Sequence, residues 1–342
     1  MSRVFSGIQP SGELHIGNYL GAVRYWVELQ DQFECIFSIV DLHAITQPYD
    51  PANLPERTLE MAVGLLAAGL DPAKCTLFVQ SQVPQHAELM WIFNTVTPVG
   101  ELERMTQYKE KSASLESIPA GLLSYPILQA ADILLYQAGQ VPVGEDQVQH
   151  LELAREIARR WNARFGDPFR FPEPMALLTG TKRILGLDGR AKMSKSLGNT
   201  IGLLDTPEAI WEKLRPAMTD PARKTRKDAG EPELCPVVYQ LHRAFSPPEV
   251  VAEVERNCRS AGWGCLDCKR VLADHVIAEL APIRERALGW KQRPDDVWDI
   301  LDAGAKRCRK LAEETLSLVY PQMGISRGDR RFLYLGATAS GV

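Results

Sequence analysis

The chain has 342 residues, 45% hydrophobic and 24% charged, enough to bury a substantial core in one large domain plus a smaller one. No stretch approaches the roughly 20 uninterrupted apolar residues of a membrane span, and Met1-Ser2-Arg3-Val4-Phe5 lacks a basic n-region followed by an apolar h-region, so a cytoplasmic protein with no membrane partner is expected. A formal charge of −4 argues against an indiscriminately basic nucleic-acid binder while leaving room for a local basic surface, and seven cysteines without an export signal argue against a disulfide framework.

The first half alternates short apolar runs with amphipathic stretches, the pattern of an α/β sheet. Strands are read at about 3–8, 34–40, 76–81 and 140–144, with helices near 17–30, 55–69, 85–95, 120–137 and 147–164. From about residue 205 helical periodicity dominates: Thr206-Pro207-Glu208 is a helix start, and further helices are read near 247–259, 267–287 and 295–318. The expected layout is a nucleotide-binding α/β domain over 1–204 and a helical domain over 205–325, with room for the last helix to return to the first domain. Residues 326–342 mix Gly, Arg and small residues without periodicity and read as a loosely ordered tail.

The run Phe5-Ser6-Gly7-Ile8-Gln9-Pro10-Ser11-Gly12-Glu13-Leu14-His15-Ile16-Gly17-Asn18 passes from an apolar strand through a Gly/Pro/Ser turn into a helix. Such a turn sets backbone N–H groups and a positive dipole end beside the carboxyl end of a strand, where open α/β sheets bind ligands. Gly17, without a Cβ, would admit a flat base, and His15 and Asn18 would offer donors to phosphate oxygens. Alone, the same residues are a turn with Ser11 or Asn18 as a helix cap. Lys192-Met193-Ser194-Lys195-Ser196 follows the turn-rich Leu187-Asp188-Gly189-Arg190 and is expected on a mobile loop. Its two lysines and interleaved hydroxyls suit a polyphosphate, the ammonium groups neutralising a leaving pyrophosphate. Either string is weak by itself; the second downstream of the first is far more specific.

Tyr125-Pro126-Ile127-Leu128-Gln129-Ala130-Ala131-Asp132 reads as a helix opening at Pro126, with Tyr125, Gln129 and Asp132 on one face. A buried carboxylate needs a donor: an indole N–H would serve Asp132, and so would a helix N-terminus or an arginine in the core. Arg155, Arg159, Arg160 and Arg164 recur at helical spacing, as a phosphate-contacting stripe or a solvated face, and Arg223-Lys224-Thr225-Arg226-Lys227 is a second basic patch. Cys235, Cys258, Cys265 and Cys268 have the spacing C-x22-C-x6-C-x2-C. Four thiolates complete a tetrahedral Zn²⁺ site or a cubane cluster, the alternative being independent thiols. Cys35, Cys75 and Cys308 read as packing residues.

The paired phosphate loops resemble those of the class I aminoacyl-tRNA synthetases. Gly7-Ile8-Gln9-Pro10-Ser11-Gly12 and Val141-Pro142-Val143-Gly144-Glu145-Asp146-Gln147 are similar to the tryptophanyl-tRNA synthetases in particular, a likeness running to about Gly324. The resemblance implies a Rossmann-type parallel-sheet catalytic domain, a smaller all-helical anticodon-binding domain and a homodimer. It implies ATP at Gln9, Pro10, Ser11, Gly17, Asn18, Gly144, Glu145, Asp146, Ile184, Lys192, Met193, Ser194, Lys195 and Ser196; a carboxylate at Asp146, just past a strand end, also suits a ribose hydroxyl. For the amino acid it implies Asp132 on the indole nitrogen, Phe5, Val40, His43, Val141 and Val143 around the ring, and Tyr125 and Gln147 at the ammonium group. Gln129 stands where many bacterial relatives have Met, and His43 taken alone reads as a core residue. The cysteine spacing resembles a bacterial subset that holds a [4Fe-4S] cluster beside the anticodon-binding region, which favours iron and sulfur over zinc.

The chemistry so implied needs no general base, since the carboxylate of L-tryptophan is already ionised when it attacks the α-phosphorus of ATP. Catalysis would rest on positioning and charge neutralisation: Lys192 and Lys195 at the pyrophosphate, His15 and Asn18 as further donors, and Mg²⁺ across the phosphates. Lys111 is a candidate third cation or an exposed helix-end lysine. The terminal ribose hydroxyl of tRNA(Trp) would then attack the adenylate. Rival readings are a tyrosyl-tRNA synthetase, a catalytically idle synthetase-like module binding tryptophan or RNA, and a small-molecule nucleotidyltransferase. Two intact phosphate loops disfavour the idle module, and the helical C-terminal half disfavours the nucleotidyltransferase.

Overall fold

The computed structural model describes residues 2–113, 115–144, 147–178, 184–194 and 197–326. Five parallel strands, β1 Arg3–Ile8, β2 Glu34–Ile39, β3 Cys75–Val79, β4 Gln140–Val143 and β5 Met175–Leu178, form one sheet in the order β3-β2-β1-β4-β5. Parallel neighbours require long crossovers, and helices supply them. Helices α1 Ile16–Asn18 and α2 Arg24–Leu29, joined by a π-helical turn at Tyr19–Val23, lead to β2, and α3 Asp41–Ala44 and α4 Leu54–Ala68 lead to β3. Then α5 Gln85–Asn94, α6 Val99–Arg104, α7 Thr106–Ser112 and α8 Ala120–Leu134 lead to β4, and α9 Val148–Phe165 leads to β5. The α/β class with a parallel sheet is therefore as expected. Strand order reverses at β1, which pairs with β2 on one side and β4 on the other. Ligands of open sheets bind at the carboxyl ends of strands at such a switch point, which is where residues 9–18, Gly144 and Gln147 emerge.

Successive residues of each strand face opposite sides and so feed two cores. Val4, Phe37 and Leu77 join a cluster with Trp26, Met61 and Leu65, while Phe5, Ile36 and Phe78 join another with Tyr136, Val141 and Trp161. Trp26 stacks on Phe37 at 4.6 Å, and removing such a ring from water contributes about 2–3 kcal/mol.

The helical half comprises α10 Pro207–Leu214, α11 Val238–Phe245, α12 Pro248–Arg259, α13 Cys265–Lys291 and α14 Pro294–Gln322. Leu272, Val276, Leu280 and Ile283 of α13 enter the first core. Helix α14 returns to the sheet, placing Ala305, Cys308, Ala312, Leu316 and Val319 in the second core, and lies along the edge strand β3. Gly304 makes this approach possible: a Cβ there would lie 2.0 Å from the Leu77 carbonyl oxygen.

Three sequence readings need correction. The helix near 17–30 is broken by its π-helical turn, and α8 opens at Ala120, so Pro126 lies inside it instead of at its start. Proline removes one helical N–H there, a cost offset by the burial of most of α8 from Leu122 to Leu134. Strand β5 was not anticipated, because Met-Ala-Leu-Leu carries no β-branched residue and no alternation. Among the described residues no helix is long and apolar enough to cross a membrane.

Candidate active site

Beyond β1 the chain turns through Gln9, whose carbonyl accepts from Ser11 N–H at 2.8 Å, and Gly12, whose φ of +99° favours glycine. Pro10 is buried, while Gln9 and Ser11 are exposed. His15 then caps α1: its Nδ1 accepts from Asn18 N–H at 3.3 Å, and Asn18 Oδ1 accepts from His15 N–H at 3.2 Å. This reciprocal box leaves Nδ1 unprotonated, so the proton of the neutral ring sits on Nε2 and the Asn18 amide keeps its NH₂ as donor. Both expected donors are thereby oriented by the backbone.

The lysine loop rests on the turn that carries His15 and Gly17. A Cβ on Gly17 would lie 2.9 Å from His15 Nδ1 and 3.3 Å from Met193 Cβ, and Met193 is itself buried. Ile16 N–H donates to Ile201 O at 2.9 Å and Leu203 N–H to Leu14 O at 2.8 Å, so the strand of chain after the lysine loop pairs with the turn before α1. The loop is closed from within by Asn199, to which sequence reasoning gave no role. Its Oδ1 accepts from Ser194 N–H at 2.8 Å, and its amide donates to Asp188 at 3.3 Å and to Lys192 O at 3.4 Å. Lys192 is exposed beside the buried Met193, and Ile184 packs partly buried on the first core. Lys195, Ser196, Glu145 and Asp146 lie outside the described residues. Between β4 and α9, Gln147 N–H donates to Gly144 O at 3.0 Å.

The neighbouring pocket is built on α8. Asp132 is 1% exposed; its Oδ2 accepts from His43 Nε2 at 2.7 Å, and its Oδ1 accepts from His86 Nδ1 at 2.6 Å and Gln80 Nε2 at 2.7 Å. The carboxylate is thus met by two imidazoles and an amide, neither by an arginine nor by a helix end. Burial by itself pushes this carboxyl up, but the His43 and His86 rings hold it well below the usual range, which makes it an obligate acceptor. His43 stands edge-on to Tyr125 at 6.3 Å, and the Tyr125 hydroxyl meets His150 Nε2 at 2.9 Å and Gln107 Oε1 at 3.4 Å. Burial pushes the Tyr125 phenol up to about 12. The Lys111 ammonium lies 5.0 Å from the Tyr125 ring centroid, and burial lowers its pKa, so it is no simple helix-end lysine. Gln129 is half-buried on the same helix. Phe5, Val141 and Val143 are buried together, Phe5 stacked on Tyr136 at 5.6 Å. Val40 closes on Gly7, where a Cβ would lie 2.7 Å from its Cγ1. Gln80 and His86 carry no motif that could have pointed to them.

In the helical half Cys235, Cys258, Cys265 and Cys268 line one cavity of about 30 Å³, together with Arg223 and Trp263. They come from three chain segments: the turn Pro232–Leu234 ends at Cys235, α12 carries Cys258 near its end, and α13 opens with the other two. Burial, followed by the neighbouring thiols, pushes Cys268 up to about 12, and burial also raises Cys235 and Cys258. Among the described residues no group of three or more His, Cys, Asp or Glu is arranged to hold a metal ion. The arginine stripe is committed internally: Arg155 to Glu152 at 2.5 Å, Arg159 to Glu173 at 2.7 Å, Arg160 in a fork to Glu101 at 2.5 and 2.7 Å, and Arg164 over Phe165 at 4.9 Å. Cys35, Cys75 and Cys308 are buried, as expected of packing residues.

Residues 1–281 match the family model of tRNA synthetases class I (W and Y). The chain is 54% identical over 329 residues to the tryptophan–tRNA ligase of Deinococcus radiodurans, covering 95% of this chain and 99% of that protein. It is 46% identical over 332 residues to that of Caldanaerobacter subterraneus subsp. tengcongensis, covering 96% and 100%. The crystal structure of tryptophanyl-tRNA synthetase from Campylobacter jejuni complexed with ADP and tryptophan aligns with a TM-score of 0.83 at 36% identity, over 94% of this chain and 100% of that one. With both phosphate loops in contact at the switch point of a parallel sheet and relatives of this closeness along nearly its whole length, the chain belongs to the class I tRNA synthetases of the tryptophan and tyrosine type.

Proposed function

We propose that this protein is a tryptophan–tRNA ligase, which activates L-tryptophan with ATP to the adenylate and pyrophosphate and then transfers it to tRNA(Trp). The observation that carries the reading is the seat of Met193 against Gly17, which unites the two phosphate loops at the carboxyl end of β1. ATP is assigned to Gln9, Pro10, Ser11, Gly17, Asn18, Gly144, Glu145, Asp146, Ile184, Met193, Ser194 and Ser196. Lys192 and Lys195 neutralise the leaving pyrophosphate, with the His15 Nε2–H and Asn18 amide as donors and Lys111 as a cation from the acid pocket. Mg²⁺ carried with the nucleotide would add charge neutralisation. Asp132 accepts from the indole N–H; Phe5, Val40, His43, Val141 and Val143 shape the ring site, Gln129 borders it, and Tyr125 and Gln147 address the ammonium group. The relatives at 46% and 54% identity favour tryptophan over tyrosine. A homodimer and the assignment of the helical half over 205–325 to the anticodon belong to the same reading.

The four cysteines are read as ligands of a [4Fe-4S] cluster, with zinc as the alternative. In support, all four cysteines line one cavity in the helical half. Arg223 Nε is also buried at that cavity without a protein partner, a donor suited to an inorganic sulfide. When bound, the cluster would tie the Cys235 turn, α12 and α13 into one unit.

Tryptophan-dependent exchange of labelled pyrophosphate into ATP, followed by charging of tRNA(Trp), tests the activity. Exchange with tyrosine alone would make the enzyme tyrosyl-specific, and tryptophan binding without exchange would leave only a binding module. For the cysteines, anaerobic purification is expected to give a brown protein with broad absorbance near ~400 nm and equal amounts of iron and acid-labile sulfide. A colourless protein with stoichiometric zinc would replace that assignment.

A further inference from the structure

Asp132 sits at the end of a buried chain of polar groups that the reaction does not consume. A carboxylate has roughly four acceptor positions. Gln80 and His86 occupy both positions of Oδ1, and His43 occupies one of Oδ2. Each of these partners has its own anchor. Gln80 Oε1 accepts from Leu42 N–H at 3.2 Å, which fixes the amide so that its NH₂ faces the carboxylate. His86, fully buried, has Nε2 at 2.8 Å from the Tyr136 hydroxyl, and Tyr136 is also fully buried.

The order of donors in this chain follows from its two ends. An ionised carboxylate only accepts, so His86 Nδ1 must carry the ring proton; Nε2 of the neutral ring must then accept, and the Tyr136 hydroxyl must donate to it. Ring contacts of His86 with Phe78 at 5.8 Å and with Tyr136 at 5.4 Å hold the imidazole in place. Removing the Tyr136 hydroxyl would release the proton to either nitrogen, and the wrong tautomer turns a lone pair onto Asp132 Oδ1.

We propose that His86 and Tyr136 are positioning residues for amino-acid specificity: they saturate Oδ1 of Asp132 and fix its plane, so that the one remaining acceptor position, on Oδ2, is offered to a ring N–H of the substrate. This rests on the reading of Asp132 as the indole acceptor. Neither residue touches the reacting atoms. Their effect is felt through the carboxylate, as discrimination between side chains with and without an N–H donor.

The test is pyrophosphate exchange with tryptophan and with 3-benzothienylalanine, in which sulfur replaces the ring N–H. It compares the wild-type protein with Tyr136→Phe, His86→Ala, His86→Asn and Asp132→Asn. For Tyr136→Phe and His86→Ala the KM for tryptophan is expected to rise about tenfold or more with the KM for ATP unchanged, and the preference for tryptophan over the sulfur analogue to shrink by a similar factor. His86→Asn, whose amide N–H falls near the place of Nδ1–H, is expected to recover most of that preference. Tyr136→Phe removes a single oxygen and carries the test if His86→Ala does not fold. A purely structural defect would depress both substrates alike and leave their ratio at the wild-type value, which would overturn the proposal if Asp132→Asn abolishes the preference. If Asp132→Asn also leaves the ratio intact, the assignment of Asp132 to the indole falls, and the positioning role with it.

Discussion

A methyl group on Gly17 would meet His15 Nδ1 at 2.9 Å and Met193 Cβ at 3.3 Å, so at this residue backbone shape and phosphate chemistry coincide. Gly17→Ala must push either the capping imidazole or the lysine loop away. Since displacements on the ångström scale at a reacting site cost up to about a hundredfold, we expect kcat/KM for ATP to fall ten- to hundredfold with tryptophan binding retained. Pyrophosphate exchange alongside direct tryptophan titration checks this, and unchanged ATP kinetics would mean that the two loops separate freely. Lys192 makes a different demand. In the role proposed for it, its charge matters most as the pyrophosphate leaves, so Lys192→Ala is expected to lower kcat about a hundredfold with a much smaller change in KM for ATP. A rise in KM alone would place the lysine in ground-state binding. The strings that contain both residues were visible in the sequence because they are short and contiguous. Gln80 and His86 were not: they meet Asp132 across 52 and 46 residues of chain, in a pairing that only the folded crossover creates.

Among elements, the legible ones were long and strongly periodic, such as α4, α9 and α14, and the illegible ones were short. The four-residue strand β5 and the helices α6, α7 and α11 carry too few residues for a period to show. The helix near 17–30 failed for another reason. Its second part begins as the π-helical turn Tyr19–Val23, where the Tyr19 hydroxyl donates to Glu279 of α13 at 3.0 Å, a tertiary bond that local periodicity does not encode. Burial, reinforced by the Glu279 carboxylate, pushes the Tyr19 phenol up to about 12. Because its folded pKa lies above the unfolded value of about 10, this tyrosine contributes stability that is fully present below pH ~10 and lost as pH rises toward 12. Tyr19→Phe should therefore cost about 1–2 kcal/mol at neutral pH and flatten the loss of stability between pH 10 and 12. Urea unfolding at pH 7, 10 and 11.5 measures it; parallel pH profiles for the two proteins would assign the alkaline loss elsewhere.

At the scale of the whole molecule the two halves are joined at two places with different consequences. Helix α13 reaches the sheet-bearing half through Glu279, which accepts from the Tyr19 hydroxyl at 3.0 Å, and through Arg286 donating to Ala67 O at 2.7 Å, while its first turn carries two of the four cysteines. If those cysteines hold a cluster, its removal by oxidation and chelation should loosen the segment from Cys235 to Cys268. Tryptophan-dependent pyrophosphate exchange should then stay within about twofold while tRNA charging falls tenfold or more, since the phosphate loops take no residue from that segment. Loss of both activities together would show instead that the segment supports the catalytic half.

Helix α14 makes the second join, and Gly304 is its closest point. The sequence left room for the last helix to return to the first domain but did not mark Gly304 as the contact, since a glycine inside an otherwise regular helix reads as a small penalty and not as a point of close packing. Here the Leu77 carbonyl oxygen would be 2.0 Å from an added Cβ, and it belongs to the backbone of β3, which cannot rotate aside as a side chain could. Gly304→Ala must therefore lift α14 off the edge strand and open the core around Ala305 and Cys308. The gain in helix propensity, about 1 kcal/mol, opposes an overpacking cost of about 1–3 kcal/mol and the looser packing of the rest of the helix on the sheet. We expect net destabilisation of about 1–2 kcal/mol, seen as a melting temperature lower by about 1–3 °C. Because Cys308 on this helix is buried in the same core cluster as Tyr136, which meets His86 and through it Asp132, the displacement should reach the Asp132 pocket, and tryptophan affinity should weaken more than ATP affinity. A melting curve that does not move, with both affinities intact, would mean that α14 rides over the added methyl group without strain.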